Sequence, residues 1–197
     1  MLQTTIRISG YVMLKLGSIK IGTRLLLIVA AAIIAALLVG AFGLYELRNN
    51  MLEDRKAKTR GLVETAISVA EFYHARQVAG ELTEEEAQKT AGAVISSMRY
   101  DETNYFFVFD YTPVVLFHDI KPDLIGRNMS ESTDGAGKRH YAAFADMAAK
   151  NGQGFVDYTY KKPDGSGTRP KLSFVKKFEP WEWIVATGIY IDDVNAV

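Results

Sequence analysis

The chain has 197 residues, an apolar share of 48%, no cysteine, and 23 basic against 23 acidic side chains. That size and apolar share suffice for a packed core, and the missing cysteines exclude disulfides, thiolate metal sites and cysteine nucleophiles. Residues 1–24 carry Arg7, Lys15, Lys20 and Arg24 with no acid, so the rest holds 19 basic against 23 acidic residues, and this acidic body argues against a nucleic-acid partner.

The first element in chain order is residues 25–45, "LLLIVAAAIIAALLVGAFGLY", uncharged throughout. As a helix rising about 1.5 Å per residue it spans roughly 31 Å, enough to cross a bilayer. A signal-peptide core has only about 7–15 apolar residues, so the segment reads as a retained anchor, although "VGA" resembles a weak cleavage site. The basic flank holds residues 1–24 in the cytoplasm and sends the chain after Tyr45 outward. Met13 opens a compact leader, "MLKLGSIKIGTR", and is an expected alternative start of translation.

A long helix follows over 46–79. No proline interrupts it, and Leu47, Met51, Leu62, Ala66, Ile67, Ala70 and Tyr73 recur at spacings near three and four. Its charged first turns fit a solvated helix resting on its own domain, or a stalk that pairs with a second copy; the two readings coexist. Thr83 and Glu86 form a capping-box pattern for a second helix running to about Met98. The period then shortens. "YFFVFD", "VVLFHD", "GFVDYTYKK", "RPKLSFVKKFE" and "WIVATGIYI" are strand-like runs, with hairpin signals at Thr112-Pro113 and Pro163-Asp164-Gly165. Only "KRHYAAFADMAAKNG" interrupts them, as a helix closed by Gly152. The order predicts an α+β domain whose sheet has five strands and is mostly antiparallel.

Catalytic and cofactor motifs are missing from the sequence: it has no phosphate loop, no G-x-S-x-G elbow and no H-E-x-x-H pair. His74, His118 and His140 lack metal-ligand spacing, and His74 and His140 read as surface residues. "DGAGK" at 134–138 lacks the full phosphate-loop spacing. Binding is better supported. Strand alternation puts Val114, Leu116 and His118 on one face, and Lys171, Ser173 and Val175 on one face of the next-to-last strand. A lone cation in a strand usually faces solvent. Arg99, His118 and Lys171, however, sit on elements rich in Tyr105, Phe107, Phe117, Tyr141, Phe155, Tyr158 and Tyr160. Cationic donors and a tyrosine hydroxyl among aromatic walls suit a small anion, most simply a carboxylate.

The chain resembles the single Cache (sCache, type 2) sensor domain of bacterial methyl-accepting chemotaxis proteins. The resemblance rests on "SIKIGTRLLLIV", "MLEDRKAKTRGLVETAISVAEFYHA", "LTEEEAQKTAGAVISSMRYDETNYFFVFD", "LFHDIKPDLIGRNMS", "NGQGFVDYTYKKP" and "PKLSFVKKFEPWEWIVATGIYIDDV", in family order over residues 18–194. It implies a PAS-like sheet of five to six strands on a long N-terminal helix, 46–79, with the core at 83–192. It implies a position at the bacterial inner membrane, with 46–197 facing the periplasm or exterior. It also implies short carboxylates such as acetate, propionate, pyruvate or lactate as ligands, while the stalk reading of the long helix makes a homodimer through that helix the expected assembly. A second membrane helix, a HAMP linker and a cytoplasmic signalling region are expected beyond Val197.

By position, the resemblance carries the pocket to Arg99, Tyr105, Phe107, His118 and Lys171, with Tyr141 closing it, and the aromatic walls add Phe117 and Phe155 to the expected site. No cofactor or metal is implied. Two departures stand out: Asp119 replaces the family's proline after the histidine, and Phe174 replaces its tyrosine. An acid at the pocket mouth would weaken anion entry, and a lost hydroxyl would change the ligand. Lys171→Ala and Arg99→Ala are each expected to lose most binding. The expected function is the ligand-binding input of a transmembrane chemoreceptor. The alternatives are the sensor of a histidine kinase or cyclase, or a module that binds a periplasmic partner protein.

Overall fold

The computed structural model describes residues 20–101, 103–163 and 165–194. Arg7, Lys15, the alternative start at Met13 and the chain after Val194 lie outside the described residues. The chain divides into two units, Met1–Leu47 and Arg48–Val197. In the first, the opening part of helix α1 (Ile21–Val78) displays exposed Leu26, Ile34, Leu37, Val39 and Phe42. By length and composition it is apolar enough to cross a membrane.

The second unit holds the rest of α1, then α2 (Glu84–Ser97), β1 (Arg99–Tyr100), β2 (Asn104–Asp110) and β3 (Val115–Phe117). After these come α3 (His140–Asn151), β4 (Gln153–Lys161), β5 (Thr168–Phe178), β6 (Trp183–Tyr190) and the short α4 (Ile191–Val194). The strands form one sheet in the order β1-β2-β6-β5-β4, with β3 also on β2, and every pairing is antiparallel. This is the expected α+β architecture. The sixth strand is the two-residue β1, where the sequence suggested only a helix end.

Local signals act as read. The Thr83 hydroxyl accepts the Glu86 N–H at 3.2 Å while the Glu86 carboxylate accepts the Thr83 N–H at 2.9 Å, so two orphan donors of α2 are satisfied together. Gly152 ends α3 with φ 75° and donates its N–H to the Ala148 carbonyl at 2.9 Å.

Both faces of the sheet are covered. On one side the small residues Ala66, Ala70, Ala87 and Ala91 of α1 and α2 let the helices approach Phe106, Val108, Phe174 and Trp183. On the other, Tyr141, Phe144 and Ala148 of α3 cover Tyr105, Phe107, Phe109 and Val175. That explains why β2 is buried at six successive positions instead of alternating. In β5 the alternation holds: Val175 faces α3 while Phe174 faces α1 and α2.

In β3 the alternation fails. The pairing register of β2 and β3 shifts between Val108 and Phe109. Leu116 and Phe117 therefore both pack on the side of α1 and α2, and His118 meets Tyr105 and Phe107 on the other. The expectation that Leu116 and His118 share a face is thus corrected.

Candidate ligand-binding site

The α3 side of the sheet holds the polar groups. Lys171, 1% exposed, stands in β5 directly opposite Tyr158 of β4 and Tyr190 of β6. Cross-strand partners share a face, so the register itself builds an aromatic cage. Its Nζ donates to the Tyr105 hydroxyl at 3.2 Å and lies 4.3 Å from the Tyr105 ring centre, 4.8 Å from that of Tyr190 and 5.6 Å from that of Tyr160. Among the described residues no acid pairs with it. Burial, and then the charge of Lys121, lower its pKa to about 7.

His118, 2% exposed, lies flat on Phe107, with ring centres 5.6 Å apart. Its Nδ1 accepts the Lys121 N–H at 3.1 Å. Burial, with Lys171 and Lys121, lowers its pKa to about 4, so the ring is neutral at pH 7 and its proton sits on Nε2. Tyr141 and Phe144 from α3 and Tyr158 and Tyr160 from β4 close the remaining walls, and the narrow gap between them is too tight to admit a water molecule in this conformation. The Tyr158 hydroxyl is tied to Ser173 at 2.9 Å.

A wider cleft of about 570 Å³ opens beyond this gap, lined by Lys121, Ser132, Thr133, Thr159 and Lys161 among others. Its loop is pinned by Asp134, whose carboxylate accepts the N–H groups of Ala136, Lys138 and Thr159 at 2.8–2.9 Å. Burial alone would raise the Asp134 pKa, but these backbone donors hold it down at about 2.

Lys171, Tyr105, Phe107, His118 and Tyr141 are therefore brought together as expected. Phe117 and Phe155 are not. Phe117 packs on Trp183 and Phe155 on Phe174, on the opposite face of the sheet. Arg99 stands at the rim: it donates to the Ser96 and Met98 carbonyls at 2.7 and 2.8 Å and forms an ion pair with Asp119. Asp119 is thus neutralised by Arg99, so it does not repel anions at the mouth. Phe174 belongs to the other face, so a hydroxyl there would not reach the gap.

His140 is no surface residue. It is 3% exposed and stacks on Tyr158 at 5.0 Å and 4°. His74 is half-buried against Phe178 and Trp181. Tyr190 was also missed in the sequence, although pairing β5 with the run "WIVATGIYI" at its observed register would have placed it beside Lys171.

Stability should report the buried ammonium. The folded pKa of Lys171 lies below its unfolded value, so the unfolded chain binds more protons between pH 7 and 10.5, and stability rises with pH there. Tyr105 and Tyr158 act oppositely above about pH 10, because burial raises their pKa values and the unfolded chain ionises first. Denaturant midpoints should therefore climb from pH 7 towards pH 10 in the wild type more steeply than in Lys171→Met. Parallel profiles for the two proteins would contradict a buried, protonatable Lys171.

A long helix, a doubly covered antiparallel sheet and a buried lysine in a cage of tyrosines are the architecture of a PAS-like sensor domain. Residues 51–197 match the family model Single Cache domain 2, and the chain belongs to that family. It is 33% identical over 181 residues to the methyl-accepting chemotaxis protein McpP of Pseudomonas putida, covering 92% of this chain and 33% of McpP. It is 33% identical over 147 residues to the sensor histidine kinase MctS of Rhizobium johnstonii, covering 75% of this chain and 31% of MctS. The chain thus spans about a third of the length of these relatives.

Two solved structures superpose on it with TM-scores of 0.70. One is a periplasmic sensor domain of a chemotaxis protein, 39% identical, with 72% of this chain and 99% of that one covered. The other is a Cache chemosensory domain described for its carboxylic acid recognition, 33% identical, with 73% and 98% covered. The family's role is that of a sensor in chemotaxis receptors.

Proposed function

We propose that the chain is the input region of a transmembrane chemoreceptor and binds a C2–C4 monocarboxylate between Lys171, Tyr105 and His118. The observation that carries this reading is Lys171: an ammonium held in a tyrosine cage with no acidic partner among the described residues. A carboxylate would supply the missing counter-charge, and the neutral His118 offers it an Nε2–H. The aromatic walls suit a short alkyl group once they part to admit it. On this reading residues 1–24 are cytoplasmic, 25–45 cross the inner membrane and 46–197 face outward. The module pairs with a second copy through the long helix and acts by binding alone, without catalysis. The similarity to MctS supports a second reading, in which the same sensor drives a histidine kinase.

Affinity is bounded by ligand size. A three-carbon acid has about six heavy atoms, each contributing at most about −1.5 kcal/mol, so dissociation constants are micromolar or weaker. The signal follows from differential affinity: a ligand favours the conformation that binds it better, here one with the 126–132 and 134–138 loops drawn in and β6 shifted. A thermal-shift screen of C2–C6 carboxylates, amino acids and sugars checks the reading. Short monocarboxylates alone should raise the melting temperature by several degrees. No response from a folded protein would instead favour a partner-protein module.

A further inference from the structure

His140 occupies the partition between the inner gap and the outer cleft, and its ring lines both. Neither Nδ1 nor Nε2 has a hydrogen-bond partner, although the residue is only 3% exposed. The Lys138 carbonyl lies close enough to stabilise a proton on the ring, yet outside hydrogen-bond geometry. Burial lowers the His140 pKa, so the ring is neutral at pH 7 and carries one N–H and one lone pair. Lys138 favours the N–H on its own side. The other nitrogen is then a buried acceptor. Two hydroxyls of the same gap are engaged elsewhere, that of Tyr158 with Ser173 and that of Tyr105 with Lys171.

From this geometry we infer that His140 is a specificity-determining residue that reads the substituent next to the ligand's carboxylate and selects 2-hydroxy acids. The inference rests on the carboxylate reading of the chamber. His118 and His140 line the same gap, so a carboxylate held by Lys171 and His118 can present its second carbon to the partition. A hydroxyl there brings the donor that the imidazole lacks. A keto oxygen brings only lone pairs, and an unsubstituted carbon brings nothing. Buried polar groups left unpaired by the wrong ligand are the strongest source of discrimination between near-isosteres.

Lactate, propionate and pyruvate differ only at this carbon, so titration calorimetry of the full chain in lipid nanodiscs at pH 7 tests the assignment. Lactate should bind about tenfold more tightly than propionate, with pyruvate the weakest of the three. His140→Phe keeps the stack on Tyr158 and should bring the three acids within about twofold of one another. A retained preference in His140→Phe, or no preference for lactate in the wild type, overturns the inference and leaves the carboxylate site standing. Failure of all three acids to bind the wild type overturns the proposed function, and the inference with it. A second readout needs no variant: in wild-type protein the lone-pair 15N resonance of His140 should move on addition of lactate and stay in place with propionate.

Discussion

Lys171→Met is expected to abolish carboxylate binding while leaving the domain folded. In a chamber of aromatic rings a carboxylate without its counter-charge is a buried unpaired ion, and breaking such a pair costs about 3–5 kcal/mol. That is a loss of a hundredfold or more, which takes a micromolar ligand beyond detection by calorimetry. Stability should move the other way. Burial holds the Lys171 pKa near 7, so the wild type maintains a partly charged group where charge is disfavoured. Methionine fills a similar volume with no charge to desolvate, and only the hydrogen bond to Tyr105 is lost, worth about 1 kcal/mol.

The melting temperature at pH 7 should therefore be equal or higher, separating loss of ligand from loss of fold. Arg99→Ala serves as the contrast. Its guanidinium is engaged by Asp119 and two carbonyls at the rim, so affinity should change by less than about tenfold, as for a partly solvated charge. Undiminished carboxylate affinity in Lys171→Met would place the site elsewhere.

These contrasting expectations for two cations show which parts of the site were legible in the sequence. Thr83, Glu86 and Gly152 declare helix ends through chemistry confined to a few neighbouring residues, so they read correctly. Lys171, Ser173 and Val175 lie on an unbroken strand, and there alternation alone sorts the faces. Leu116 and His118 flank a register shift, which alternation cannot anticipate. Phe117 and Phe155 could not be assigned from their residue type, because a sheet covered by helices on both sides needs aromatic rings on both. Arg99 and Asp119 are 20 residues apart, and their pairing exists only once β1 lies on β2. His140 reads as a polar helix start until β4 brings Tyr158 against it.

Gly188→Ala is expected to be the most damaging single methyl group that can be added to the sheet. Gly188 sits in β6 opposite Ser173 of β5. A Cβ there would lie 2.7 Å from the Leu172 carbonyl oxygen and 2.8 Å from the Ser173 Cα, and would collide with the Ser173 hydroxyl. Two of these obstacles are backbone atoms, so no rotamer change relieves them. The β5–β6 ladder must open instead, between strands buried on both faces. Ser173 would also release Tyr158, whose hydroxyl it holds in the chamber wall.

Overpacking of a well-packed core costs about 1–3 kcal/mol where side chains can yield. Here they cannot, so a loss of about 4 kcal/mol is expected, the range reserved for exceptional lesions. For a domain of this size that corresponds to roughly 8–16 °C in melting temperature. Gly61→Ala supplies the opposite sign from the same chemistry. It lies within α1 with nothing within 4 Å of the added Cβ, so alanine should stabilise the helix by about 0.5–1 kcal/mol. Thermal melts of the two variants beside the wild type decide the matter. A Gly188→Ala protein that melts like wild type would mean that β5 and β6 are not paired in this register, and the cage around Lys171, which depends on that register, would fall with it.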